Sequence, residues 1–156
     1  MRNFADVIRM PVPKLAQYDL NKLLTSIQIL FHAKATKKEI QLFFNKTTEP
    51  FFVKIDVPQM QQVLVNITKN ALESIEKDGE ISFILNAKDK QLIIRDTGKG
   101  IPKEMEALLF TPFFSTKNTG QGIGLTLIRD ILRNHGFSFS LQTIAEGQTE
   151  FQINFL

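Results

Sequence analysis

The stretch from Asp96 to Leu125, DTGKGIPKEMEALLFTPFFSTKNTGQGIGL, combines residue types that can hold a nucleotide. Asp96 closes the apolar run Leu92-Ile93-Ile94, which puts a carboxylate at the end of a strand. There it can accept a hydrogen bond from an exocyclic amine such as adenine's. Gly98 and Gly100 follow, and without a Cβ they let the backbone turn through positive φ and approach a flat base closely. Gly120, Gly122 and Gly124 then precede Leu125-Thr126-Leu127-Ile128. Backbone N–H groups at a glycine-rich helix start make a site for phosphate. Between the glycine clusters, Phe110, Phe113 and Phe114 crowd a short segment. It suits either ordinary core packing or a lid, over about Lys103 to Thr119, that docks differently with and without ligand. Lys117 is placed to meet a terminal phosphate and equally suits a solvated position.

No single piece is specific. A D-x-G-x-G run is often only a tight turn; the second cluster is not G-x-G-x-x-G, because residue 125 is Leu; and no Walker G-x-x-x-x-G-K-[ST] occurs. The weight lies in the combination and in the elements that position it.

The most informative of these elements is a helix predicted from Asp56-Val57-Pro58-Gln59, an acidic cap with an early proline and Gln at the third helical position. It should run to about Glu76 and stop before Asp78-Gly79. Met60, Val63, Leu64, Ile67, Ala71 and Ile75 form its apolar face, and Gln62, Asn66, Asn70 and Glu73 form a polar line. Asn is a poor helix former. Alone, the line suits a solvated face; beside a nucleotide loop, an amide oxygen suits Mg²⁺, a hard cation that prefers oxygen ligands.

Upstream, Phe4, Val7 and Ile8 have helical spacing that Pro11 and Pro13 end. Asp19 or Asn21 caps a helix over about 21–35 with Leu23, Leu24, Ile27, Leu30 and Phe31 as its stripe. Thr36-Lys-Lys-Glu39 has the form of a capping box, but Ile40-Gln-Leu-Phe-Phe44 after it reads as a strand, as does Phe52–Ile55. Strands at 80–86 and 91–95 form a hairpin across Ala87–Lys90. A helix over about 122–134 ends at Asn134-His135-Gly136, where His135 suits a C-terminal cap favoured by the helix dipole. The alternations beginning at Phe137 and at Thr149, separated by the turn Glu146-Gly147, are half-buried strands. This order predicts an α/β fold: a two-layer sandwich in which three helices cover one face of a mixed, mostly antiparallel sheet.

Length and composition narrow the classes. The 156 residues suit a single domain with a sizeable core. The absence of cysteine excludes disulfide scaffolds, thiolate metal sites and cysteine nucleophiles, and two histidines leave little room for a multi-histidine metal site. No apolar run approaches a membrane span. The net charge of +3 and the cluster Lys34, Lys37, Lys38 read as a solvated face, with no nucleic-acid partner expected.

From about residue 19 to the end, the chain resembles the catalytic, ATP-binding domain of sensor histidine kinases, in the GHKL or Bergerat-fold superfamily shared with DNA gyrase, heat-shock chaperone and mismatch-repair ATPases. Val63-Leu-Val-Asn66-Ile-Thr-Lys-Asn70-Ala71 is similar to the asparagine box, Asp96-Thr-Gly98-Lys-Gly100 to the first glycine box, and Phe110-Thr-Pro-Phe113-Phe114 to the phenylalanine box. Gly120-Gln-Gly122-Ile-Gly124-Leu125 is similar to the second glycine box and Gly147-Gln-Thr149-Glu-Phe151 to the terminal strand. Residues 1–18 resemble the tail of a dimerisation hairpin and its linker in kinases of the nitrogen-regulation type, with 19–156 as the catalytic domain.

The resemblance implies ATP and Mg²⁺ as cofactors. Asp96 would bind the adenine amine beside Gly98, Gly100 and Thr149. Asn70 would ligate the metal, and Asn66 would support metal and phosphates. Thr116, Lys117, Gly120, Gly122, Gly124 and Leu125 would border the phosphates, with Lys117 joining Asn66 and Asn70 in catalysis. ATPase relatives carry Glu where Asn66 stands. An amide cannot act as general base, so Asn66 favours phosphoryl transfer over hydrolysis. Many kinases carry Lys or Arg where Glu73 falls. Neither His32 nor His135 lies in an acceptor motif. The implied partners are therefore a histidine-bearing hairpin upstream of this chain and a response regulator. The whole protein would be a homodimer, this fragment a monomer. The location would be cytoplasmic, or the cytoplasmic part of a membrane-bound sensor. A nucleotide-gated binding module and an anti-sigma-type serine kinase are the competing readings.

Overall fold

The computed structural model describes residues 11–111 and 123–155, the side chain of Ile123 excepted. Along the chain run β1 (Ala16–Asp19), α1 (Leu20–Lys37), β2 (Gln41–Asn45), β3 (Phe52–Ile55), α2 (Val57–Ser74), β4 (Glu80–Asn86) and β5 (Gln91–Asp96). A 3₁₀ turn (Lys103–Leu108), α3 (Ile123–Asn134), β6 (Ser138–Ala145) and β7 (Gln148–Asn154) complete it. The main sheet has the order β2-β4-β5-β7-β6. Only β2 and β4 are parallel; the other neighbours are antiparallel. This is the mixed, mostly antiparallel α/β arrangement that the sequence predicts.

Strict alternation builds the two faces of the sheet. Ile81, Phe83, Leu85, Leu92, Ile94, Phe151 and Ile153 point to one side and join the side chains of α1, α2 and α3 in one core. Each such Leu, Ile or Phe contributes roughly 1.5–3 kcal/mol by leaving water. The other face carries the alternate residues, among them the cross-strand pairs Ile84–Ile93 and Arg95–Glu150, the latter at 2.7 Å.

Acidic caps start α1 and α2 as expected. Asp19 Oδ1 accepts from the N–H groups of Asn21 and Phe51, both at 3.0 Å, and Asp56 Oδ1 accepts from Gln59 N–H at 3.1 Å. The Thr36–Glu39 run caps nothing, since α1 ends there. Lys38, expected only on a solvated face, instead donates its ammonium to the Leu72 carbonyl at 2.7 Å, satisfying a carbonyl in the last turn of α2.

Other expectations are corrected. Leu30 is not in the core stripe of α1; it is 53% exposed. A strand that the sequence did not predict, β1, spans the boundary drawn at residue 18 and pairs antiparallel with β3 in a separate two-stranded ribbon. His135 does end α3, with Gly136 at φ 77° after it, but its ring is not a charge on the helix dipole. Nε2 lies 3.0 Å from the Asp56 backbone N–H, which can only donate, so Nδ1 carries the proton toward the Ile131 carbonyl at 2.8 Å. The neutral ring ties the end of α3 to the start of α2.

Candidate functional site

Asp96 ends β5, and Thr149 stands directly opposite it on β7, on the face that carries Ile94 and Phe151 into the core. They are 8% and 5% exposed, so a carboxylate and a hydroxyl share one buried corner of an otherwise apolar face. Asp96 Oδ1 accepts the Gly98 N–H at 2.8 Å and the Ser74 hydroxyl at 3.2 Å. Oδ2 makes no hydrogen bond among the described residues. Burial pushes the Asp96 pKa above the ordinary carboxylate value, and the two donors on Oδ1 offset this only in part. A desolvated carboxylate with a spare oxygen suits a neutral N–H donor such as an amine.

Two glycines shape the turn beyond Asp96, each for its own reason. Gly100 takes the left-handed turn at φ 81°, whereas Gly98 does not need positive φ. Gly98 is held against the end of α2 instead. A Cβ there would lie 1.9 Å from Ser74 Oγ and 2.8 Å from the Ser74 carbonyl oxygen, which accepts the Lys99 N–H at 3.1 Å. Gly98→Ala is therefore expected to destabilise the protein by about 1–3 kcal/mol through overpacking. A urea unfolding midpoint equal to the parent's would contradict that contact.

Ser74, Asn70 and Asn66 lie on successive turns of α2. With a rise of 1.5 Å per residue, Asn70 and Asn66 stand about 6 Å and about 12 Å along the axis from Ser74. Both asparagines are half-buried, whereas Gln62 and Glu73 are exposed. α2 packs against α3, whose first turn brings in Gly124 and Leu125. Leu125 packs on the core, and a Cβ at Gly124 would meet nothing within 4 Å among the described residues. Packing among the described residues gives no reason for a glycine there. Thr116, Lys117, Gly120 and Gly122 lie outside the described residues, with Phe113 and Phe114.

At the near end of the expected lid, Leu109 is buried, and Phe110 packs edge-on against Phe139 and Phe151 at 5.2 and 6.2 Å. Arg129 of α3 donates to the Phe110 carbonyl at 2.8 Å. Core packing thus accounts for Leu109 and Phe110, whereas the 3₁₀ turn Lys103–Leu108 before them buries no residue. Sequence reasoning missed Arg129, Ser74 and Thr143, the last of which accepts the Ile101 N–H. Continuing the polar line Asn66-Asn70 by one turn points to Ser74. No local pattern marks the other two.

Asp96 and Thr149 share a polar corner that Ser74 joins, and the asparagines continue along α2 from Ser74 as a flank with amide oxygens. This donor set fits an adenine nucleotide with a hard cation. Residues 55–156 match the family described as histidine kinase-, DNA gyrase B-, and HSP90-like ATPase. The chain belongs to this family. Its relatives include the sensor histidine kinase ZraS of Salmonella typhimurium, 35% identical over 134 residues, which make up 83% of this chain and 29% of that kinase. The chain thus spans under a third of that relative's length. The nucleotide-free catalytic domain of the histidine kinase ThkA superposes with a TM-score of 0.80 at 29% identity, covering 90% of this chain and 93% of that domain. ThkA in complex with the response regulator TrrA matches with a TM-score of 0.76 at 27% identity, over 89% of this chain and 40% of the matched one. The fold is therefore that of the ATP-binding catalytic domain of sensor histidine kinases, and the corner at Asp96 and Thr149 lies within the matched family segment.

Proposed function

We propose that this domain binds ATP with Mg²⁺ and passes the γ-phosphoryl group to a histidine on a separate helical hairpin. Asp96, with Gly98, Gly100 and Thr149, takes the base. Asn70 ligates the metal, and Asn66 supports metal and phosphates. Thr116, Lys117, Gly120, Gly122, Gly124 and Leu125 border the phosphates. The observation that carries the reading is the asparagine row on α2 leading from the Asp96 corner: it offers amide oxygens for a metal and, at Asn66, an amide that cannot activate water. Catalysis would then rest on positioning and charge neutralisation.

Residues 1–18 would be the tail of the hairpin and its linker, and 19–156 the catalytic domain. The protein would work as a homodimer in the cytoplasm and hand its phosphoryl group to a response regulator, as the ThkA–TrrA complex suggests. Among the described residues, no helix is long and apolar enough to cross a membrane.

Neither histidine of the chain suits the acceptor role. Both ring nitrogens of His135 are engaged, and His32 is exposed on α1, which packs against β2 and α2. Labelled ATP should therefore leave the chain unlabelled and mark an added cognate hairpin with an acid-labile phosphoryl group. Inefficient transfer is expected, because no covalent link raises the local concentration. Acid-stable label would point to a serine kinase. Bound ATP without any transfer would point to a nucleotide-gated binding module.

A further inference from the structure

Thr143 lies on β6 opposite Thr149 of β7, immediately before a register shift between Thr143 and Ala145. A bulge at this place sets the direction of the residues beside it. Thr143 Oγ1 accepts the Ile101 N–H at 2.7 Å and lies 2.9 Å from Thr149 Oγ1. It also forms the near wall of the glycine turn: a Cβ at Gly100 would lie 3.1 Å from it.

Each threonine hydroxyl has a single proton to give. If Thr149 donated to Thr143, Thr143 Oγ1 would accept twice and its own proton would have no acceptor among the described residues. If Thr143 donates to Thr149, the proton left over is Thr149's, on the hydroxyl that shares the buried corner with Asp96, where a bound base can accept it. The chain of bonds then runs from the Ile101 N–H to the Thr143 hydroxyl, to the Thr149 hydroxyl, and into the corner beside Asp96. Such bonds polarise one another in sequence. Thr149 then offers a donor on the strand directly opposite the acceptor Asp96.

We propose that Thr143 is a specificity-determining positioning residue that holds the Thr149 hydroxyl as a donor and so selects adenine over guanine. The proposal rests on the nucleotide reading of the site. Adenine offers an amine donor beside a ring nitrogen acceptor, which complements a carboxylate acceptor beside a hydroxyl donor. Guanine offers a carbonyl acceptor beside a ring N–H donor, which opposes like to like at both positions. A site built around a particular set of hydrogen bonds rejects the analogue that leaves its polar groups unpaired.

The test compares the parent chain with Thr143→Val and Thr143→Ser by calorimetric titration of ATP, GTP and 1-deaza-ATP, in which the ring acceptor N1 is a C–H. The parent should prefer ATP over both analogues. Thr143→Val keeps the shape and loses the hydroxyl. It should weaken ATP about fivefold, as for one neutral hydrogen bond, while leaving 1-deaza-ATP nearly unchanged, so that the ratio between them falls toward one. Thr143→Ser should restore the parental ratio. Equal weakening of ATP and 1-deaza-ATP in Thr143→Val would mean that Thr143 only supports the Gly100 turn, and would overturn the proposal. An unchanged ratio overturns it as well. Failure of the parent to bind ATP at all would instead overturn the nucleotide reading beneath it.

Discussion

Asp96→Asn is expected to lower ATP affinity roughly ten- to a hundredfold, the equivalent of one lost hydrogen bond to a charged group at about 1.5–3 kcal/mol, while leaving the unliganded protein at least as stable. The loss follows from geometry. The Asn carbonyl can replace Oδ1 and keep the bonds from Gly98 and Ser74. The amide nitrogen then occupies the place of Oδ2 and faces an amine with a donor. The stability follows from charge. Burial raises the folded-state pKa of Asp96. Between the ordinary Asp value of about 3.9 and the raised folded value, the native state holds more protons than the unfolded chain. Stability of the unliganded protein therefore falls as pH rises through that window, and the ionised carboxylate remains a cost above it. ATP affinity moves the opposite way, weakening as pH falls through the same window, because the protonated acid has lost its free acceptor. Asn has neither dependence. Calorimetry and thermal melts across the window check both arms, and unchanged ATP affinity in the variant would sink the assignment of Asp96 to the base.

The same conflict explains what was legible in the chain. The alternating strands β4, β5 and β7 and the capped helices α1 and α2 are locally consistent: period, cap and turn all agree. β1 was not legible, because Ala16-Gln17-Tyr18-Asp19 shows little apolar alternation and its partner β3 lies across the whole of α1. Leu30 misled because helical spacing identifies a stripe without saying how wide the covered face is. His135 was readable as a terminus, but its bond to the Asp56 amide joins residues 79 apart in sequence, and no local rule anticipates it. At the site, Asp96 and the glycine turn could be read because burial and turn chemistry are local. The hydroxyl pair Thr143–Thr149 depends on strand register and a bulge, which appear only after folding.

Asn70→Ala is expected to abolish most of the Mg²⁺ enhancement of ATP binding while leaving adenosine binding nearly intact. Asn70 stands mid-helix in α2, half-buried, one turn from the Ser74 that touches Asp96. Ala is the better helix former by about 0.5 kcal/mol, so propensity opposes rather than explains any loss of function. The base corner lies a full turn away, about 6 Å along the axis, where hydrogen bonds link Asp96 to Ser74 and Gly98, and Thr143 to Thr149. The side chain that disappears is an amide oxygen of the kind Mg²⁺ takes beside phosphate ligands. Phosphoryl transfer relies on that ion to bridge and neutralise the phosphates, so transfer to an added hairpin should fall at least a hundredfold, on the order expected for losing one preorganised electrostatic contact. Titrating ATP and adenosine with and without Mg²⁺ separates the two effects. Adenosine binding reports the base corner, and the ratio of ATP affinities with and without the ion reports the metal. If Asn70→Ala keeps the full Mg²⁺ enhancement, the ion is held elsewhere, and Asn66, one turn further along α2, becomes the residue to replace next.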